Sequence, residues 1–268
     1  MNACFYSFRS YLKVKQKRKE FIGTDMKTNR ENDAIFGSAT ESFCCNKIFS
    51  HFSNASFERV TDKEEQIKGT DIIINMSNGQ ELKVDVKTFS VNYVLSTDIT
   101  KFPTFAMELS FINRAGNLNI GWFLNKDLDT THYLLLYPVV RKYKPIDGRK
   151  VDETNVNEDD IIKADAYLVS KARIMDYLKK SRGVTEELLW QYATEVREAK
   201  ENRNYEENGR RAAQVRYSPF LAEKPVNILI RRNELDILSL AVFHYENGKC
   251  TQRVFDKSKY DELLRSVA

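Results

Sequence analysis

The chain has 268 residues, of which 42% are hydrophobic and 30% charged, and its formal net charge is +4. This balance excludes a chain too polar to build a core, and no run approaches the ~18 apolar residues of a membrane-spanning helix. A net charge so near neutrality says little about partners, so local clusters matter more.

The first cluster, RSYLKVKQKRK at 9–19, holds six basic groups and no acid, and includes Lys15, Lys17 and Arg18. No apolar run of signal-peptide type accompanies it, so no leader is expected and the chain is expected to be cytoplasmic. Residues 31–53 read as a helix, with Ala34, Ser38, Glu41, Cys45, Ile48 and Phe52 along one side at helical spacing. Glu41 interrupts that stripe, and a carboxylate on a buried face needs a partner; otherwise it lies at the edge and reaches solvent. Adjacent Cys44 and Cys45, with Cys4 and Cys250, form no C-x-x-C pair. Structural zinc is therefore not expected, and Cys44 and Cys45 read as reduced core residues.

Residues 70–76 and 80–89 read as strands around Ser77-Asn78-Gly79, and 104–113 as a third strand. The Arg114-Ala115-Gly116-Asn117 turn leads to a fourth at Leu118–Leu124, and HYLLLYPVV at 132–140 is apolar enough to be covered on both faces. Residues 141–160 are polar, contain Pro145 and Gly148, and read as a loop or insertion. A strand at 164–170 and helices at 170–181 and 185–203 follow, the second helix opened by Thr185 ahead of acids. Residues 209–219, with Arg210, Arg211 and Arg216, read as a basic turn; 226–230 and 238–245 read as strands, and 257–268 as a closing helix. Arg231-Arg232 forms a third basic cluster. Basic clusters suit phosphate backbones but also occur as solvated faces. Interleaved helices and strands predict an α/β fold with a mixed central sheet flanked by helices. The division expected is one unit over 1–268, with a core at about 31–140 and a helix-and-strand extension at about 160–268.

Two acid-x-lysine triplets lie on the second strand, Glu81-Leu82-Lys83 and Asp85-Val86-Lys87, and a lone acid, Asp71, lies on the first. The triplet alone is nearly uninformative; what matters is whether a second acid reaches it. A two-residue turn would pair Ser77 with Gln80 and send Asp71 and Asp85 to opposite faces. A three-residue loop with glycine in the left-handed conformation pairs Met76 with Gln80 and sets Asp71 opposite Asp85. Their Cβ atoms would then lie roughly 4.5–5.5 Å apart. The same register places Glu81 about 13 Å farther along the strand, at ~3.3 Å per residue, outside reach of the pair. Facing carboxylates repel unless a proton or cation lies between them. Mg²⁺ takes oxygen ligands and can polarise a phosphodiester and activate water, while Lys87, two residues on, shares the face of Asp85. The plainer alternative is a cross-strand charged patch on a solvated sheet face. Glu108, in FAMELSF, alternates away from Phe105, Met107, Leu109 and Phe111 and reads as an outward surface glutamate unless it lies beside the hairpin. His51, His132 and His244 show no ligand spacing and read as structural. No phosphate-binding glycine loop or serine-hydrolase elbow is present.

A helix bearing Glu41, GTD ending in Asp71, and a hairpin into VDVKT with Asp85 and Lys87 together resemble the PD-(D/E)XK nuclease superfamily, the restriction-endonuclease-like fold. The resemblance covers roughly residues 31–140. It implies an αβββαβ-like core and Mg²⁺- or Mn²⁺-dependent hydrolysis of DNA, less often RNA. Asp71 and Asp85 would be metal ligands, Lys87 the catalytic lysine and Glu41, the optional helix acid, a further metal ligand. Thr70 stands where the superfamily's proline would be, and the second acid is Asp rather than Glu. The basic residues Lys15, Lys17, Arg18, Arg210 and Arg211 would hold the backbone, and a homodimer is compatible with double-strand cutting. Many superfamily members are inactive binding or assembly modules, which supplies the alternative.

Overall fold

The turn at Ser77-Asn78-Gly79 sets the register of the central hairpin. Strand β2 (Ile72–Met76) pairs antiparallel with β3 (Glu81–Lys87), with Ile72 opposite Val84, Ile74 opposite Leu82 and Asn75 opposite Glu81. Met76 N–H donates to Gln80 O at 2.9 Å, and Gly79 N–H donates to Met76 O at 2.9 Å. Gly79 has φ of +83°, a value that costs a side-chain-bearing residue ~1–2 kcal/mol. The three-residue loop is therefore the one formed, and the register continued by one residue brings Asp71 opposite Asp85.

The computed structural model describes residues 29–52, 55–90, 94, 99–141, 156–207, 210–258 and 260–261. Helix α1 (Asn29–Phe43) leads into a π turn at Cys44–Ile48 and a 3₁₀ turn at Phe49–His51. β1 (Ala55–Arg59) and the short α2 (Lys63–Ile67) precede β2. After β3 come β4 (Thr104–Ile112), β5 (Leu118–Ile120), β6 (His132–Val140) and β7 (Ile161–Ser170). α3 (Lys171–Arg182), α4 (Glu186–Ala199), β8 (Arg203–Glu207) and β9 (Arg210–Tyr217) follow. The described chain ends with β10 (Val226–Arg231), α5 (Arg232–Leu238), β11 (Ala241–Glu246) and β12 (Lys249–Val254).

These strands form two sheets, a seven-stranded one in the order β1-β2-β3-β6-β7-β11-β12 and a five-stranded one in the order β5-β4-β10-β9-β8. β3 and β6 run parallel, and the other pairings in the larger sheet are antiparallel, so that sheet is mixed. The fold is thus mixed α/β, with helices against a mixed sheet, as the sequence pattern implies. β6 is central and almost wholly buried, which accounts for its unbroken apolar run.

Several expectations are corrected. Residues read as a C-terminal extension supply β7, β11 and β12 to the larger sheet, while β4 and β5 pair into the smaller one. Both sheets therefore mix strands from the two halves of the chain. Residues 209–219 are mostly strand β9 rather than a turn. Leu118–Leu124 is strand only to Ile120 and then turns. β1, α2, β8, α5 and β12 are further elements beyond those the sequence pattern predicts. The predicted stripe on α1 is also misphased: Phe36, Ala39, Thr40 and Phe43 are buried, whereas Ala34 and Ser38 are exposed. The π turn adds residues per turn, so Cys45, Ile48 and Phe52 are nevertheless buried. There Phe49 and Phe52 meet Phe243 edge-on, and Phe43 meets Tyr245 at 4.9 Å. The closing helix is described only at 257–258 and 260–261. Thr185 does cap α4, accepting from Leu188 N–H at 3.3 Å. Among the described residues no helix is long and apolar enough to cross a membrane.

Candidate functional site

Alternation along β3 sends Leu82 and Val84 into the core and places Asp85 and Lys87 together on the opposite face. At Asp85 that face is not solvated. Asp85 is only 2% exposed. Its neighbour in the parallel pair is Tyr133 of β6, whose ring meets Trp122 at 4.9 Å. The plain reading of a solvated charged patch fails on this burial.

Lys87 Nζ lies 2.6 Å from Asp85 Oδ1. Asp85 Oδ2 is buried and meets no hydrogen-bond donor among the described residues. Asp71 lies one residue before β2, and its Oδ2 accepts from Val86 N–H at 2.8 Å, which fixes its carboxylate at the foot of the triplet. Burial pushes the Asp85 carboxyl up to about 7; Lys87 pulls it down, while the charge of Asp71 and a proton-sharing contact with it push it up again. Two carboxylates thus face each other in a buried place, the condition that calls for a proton or a cation between them. Burial works against the Lys87 ammonium, but Asp85, Asp71 and Glu108 outweigh it and the net shift is upward. Lys87 stays charged, and its Nζ sits 5.4 Å from the centre of the Trp122 ring.

Glu41 arrives from the last turn of α1, immediately before the π turn. Its Oε2 takes both Arg59 Nη2 at 2.7 Å and Arg59 Nε at 3.1 Å. Arg59 also reaches Ser38 and Ser42, binding β1 to α1. Burial raises the Glu41 carboxyl, Asp71 raises it further, and Arg59 and Lys87 oppose the rise. Glu41 therefore belongs to the same electrostatic cluster as Asp71 and Lys87, and its partner is a guanidinium. Among the described residues no three Asp, Glu, His or Cys side chains converge as a metal-holding group.

The second triplet lies apart. Glu81 is exposed beside the turn, and Lys83 pairs with Asp129 at 3.3 Å.

Glu108 is half-buried. Burial pushes its carboxyl up to about 7, against the Trp122 backbone N–H, Lys87 and Arg197. The turn after β5 fits closely on β4 here: Gly121 N–H donates to Leu109 O at 2.8 Å and Phe123 N–H to Glu108 O at 3.1 Å. A Cβ at Gly121 would lie 2.4 Å from Glu108 O, so glycine is required by close approach. Lys171, at the start of α3, also feels Asp85; burial lowers its ammonium, and Nζ donates to Asn125 O at 2.7 Å. Glu108, Trp122, Arg59 and Lys171 were not singled out as site residues from sequence. For Glu108 the alternation along β4 gave the correct face, and only the covering of that face was not visible.

The basic residues divide. Lys15, Lys17 and Arg18 lie outside the described residues. Arg210 and Arg211 are neighbours on β9, and Arg211 is exposed. Arg232 is no free phosphate contact: it is paired with Asp165, donates to Tyr167 Oη at 2.7 Å and lies over the Tyr137 ring. Two of the histidines make contacts within the fold. His132 is buried beside Thr131 and pushed down to about 4 by burial and Arg173, and His244 meets Asp165 at 2.6 Å. Cys44 and Cys45 are buried free thiols.

No protein-family model, no curated protein and no solved structure matches this chain.

Proposed function

We propose that the chain is a divalent-metal-dependent nuclease of the PD-(D/E)XK type that hydrolyses phosphodiester bonds of DNA. One observation carries this reading: Asp85 is buried with an oxygen that meets no donor among the described residues, facing the Asp71 carboxylate and paired with Lys87. Two facing carboxylates with a single ammonium between them remain costly to bury, which leaves a use for a cation there. The residues fit Mg²⁺ or Mn²⁺. Such ions accept one or two protein carboxylates and complete their shell with water and substrate oxygens, so a pair suffices where three ligands are absent. The order of elements supports the finer assignment: α1, an antiparallel three-strand meander β1-β2-β3, then β6 parallel to β3. The crossover between β3 and β6 carries β4 and β5 of a second sheet, which the αβββαβ pattern does not include.

In this reading Asp71 and Asp85 would hold the cation, which would supply Lewis-acid polarisation of the scissile phosphate and a more acidic water. Lys87 presents a charged ammonium to the attacking water and to the negative charge that grows on the phosphoryl oxygens. Glu41 tunes the cluster from α1, anchored by Arg59. Arg210 and Arg211, with Lys15, Lys17 and Arg18, track the phosphate backbone, and a second copy of the chain would deliver the second cut of a duplex.

The test is incubation with plasmid, linear and branched DNA in Mg²⁺ or Mn²⁺. Wild type is expected to cut in a chelator-sensitive manner, and Asp85→Ala, with its fold retained, is expected not to. Equal cutting by both proteins overturns the reading. DNA binding without cutting points instead to an inactive binding or assembly module on the same fold.

A further inference from the structure

The two sheets end in the edge strands β1, β12, β5 and β8, and among the described residues all but β5 are guarded. β8 carries Arg203, Glu206 and Glu207 and is bulged at Tyr205 and Glu206. β12 carries Lys249 and Arg253. β1 carries Glu58, and its Arg59 is tied to Glu41 of α1. Charges and bulges keep an edge from pairing with another chain. β5 has neither. It reads Leu118-Asn119-Ile120, is uncharged, and leaves Leu118 45% and Ile120 49% exposed.

The bonds to β4 set the phase of this edge. Asn113 N–H donates to Asn117 O at 2.9 Å and Gly121 N–H to Leu109 O at 2.8 Å, so residues 117, 119 and 121 turn their backbone groups toward β4. Leu118 and Ile120 alternate with them, and their N–H and C=O groups point to the open side. Two outward residues flanking one inward residue form a pattern complementary to itself. A two-fold axis through Asn119 sets Leu118 against the partner's Ile120 and Ile120 against the partner's Leu118, with both backbone bonds made in each pair. The apolar side chains then meet across the seam on one face. The two Asn119 amides meet on the other face, and a slip by one residue would exchange the faces. Charges agree with this arrangement. Arg114, in the turn of the β4–β5 hairpin, lies four residues before Leu118, and antiparallel pairing carries its two copies to opposite ends of the seam.

We propose that β5 is the seam of a homodimer, in which two copies of the chain pair antiparallel and join their five-stranded sheets into one. The seam rests on this strand and stands apart from the nuclease reading. So short an edge contact buries less than the ~1,200 Å² of a standard interface, so the dimer is weak and forms at micromolar concentration. β5 runs directly into Gly121 and Trp122, so pairing also braces the turn whose ring meets Tyr133 beside Asp85.

Sedimentation equilibrium of the whole chain, from low to high micromolar concentration, tests the seam. The mass of wild type is expected to rise from 31.2 kDa toward twice that value. Ile120→Lys, which sets a charge against the partner's Leu118, is expected to remain a monomer with an unchanged urea midpoint, since Ile120 is half exposed. Ile67→Lys, at an exposed apolar residue outside β5, is expected to dimerise as wild type does. Under mild oxidation Asn119→Cys is expected to cross-link through the introduced thiols, because a non-hydrogen-bonded pair brings Cα atoms to ~4.5 Å, within disulfide reach. Leu118→Cys, which faces the partner's Ile120, is expected to cross-link no more than wild type with its own cysteines. A wild type that is monomeric at every concentration overturns the proposal and leaves the edge to a strand of a different protein. A dimer that Ile120→Lys does not weaken, or one in which Asn119→Cys cross-links no better than Leu118→Cys, overturns the seam.

Discussion

Asp85→Asn is expected to make the cation-free protein more stable than wild type at pH 8 and no more stable at pH 4. The folded Asp85 carboxyl titrates at about 7, against an ordinary value of 3.8. The folded state thus favours the protonated form. The stability this confers is fully present below about pH 4 and is lost as pH rises through about 7, because the folded state then binds more protons than the unfolded one. At ~1.4 kcal/mol per unit, the loss is on the order of 4 kcal/mol. Asparagine keeps the shape and a donor toward Asp71 but has no charge to bury, so its curve lacks that loss. Glu108, shifted upward from 4.5 to about 7 by burial, contributes a fall in the same direction to both proteins, and the difference between the two curves isolates Asp85. Urea unfolding at half-unit pH steps between 4 and 8 in a chelator measures it. Parallel curves would mean that Asp85 is not the buried carboxyl described here.

Lys87→Met is expected to separate cation binding from catalysis. Removing the ammonium leaves Asp85 buried without its cation, at a cost of ~3–5 kcal/mol for breaking one side of a buried pair. Asp85 then holds its proton to higher pH, and the cost shrinks as pH falls. Mn²⁺ binding should survive, since a competitor for Asp85 has been removed. DNA cleavage should fall by ~10²–10³, the usual effect of losing one preorganised donor to developing charge. Cleavage rates within a factor of two or three of wild type would exclude Lys87 from the chemistry.

The hairpin was legible because its register depends on residues adjacent in sequence. Gly79 at φ +83° selects the three-residue loop, and everything from Met76 to Asp85 follows by counting in twos. The burial of Asp85 was not legible, because its cover comes from Trp122 and Tyr133, some 40 residues later and placed by a crossover between two sheets. Glu108 shows the same limit. Periodicity along β4 separated it correctly from Phe105, Met107 and Leu109, but it cannot say whether the other face meets water or other parts of the chain. The stripe on α1 failed for a different reason. The π turn at Cys44–Ile48 breaks the 3.6-residue period just after Glu41, so positions on either side of it cannot share one phase. β9 was read as a turn because its arginines hid an alternating strand whose buried positions are Ala212, Ala213 and Val215; strand β8, which covers its edge, is bulged at Tyr205 and Glu206.

A divalent-cation site at the Asp71–Asp85 pair would tie folding stability to Mn²⁺. It is tested most directly by urea unfolding at pH 8 over a range of Mn²⁺ concentrations, for wild type and Asp85→Asn. Wild type should gain stability with the logarithm of Mn²⁺, by ~2.7 kcal/mol at a hundred times the dissociation constant, and Asp85→Asn should gain little. The same response from both proteins, or none from wild type, would contradict the account.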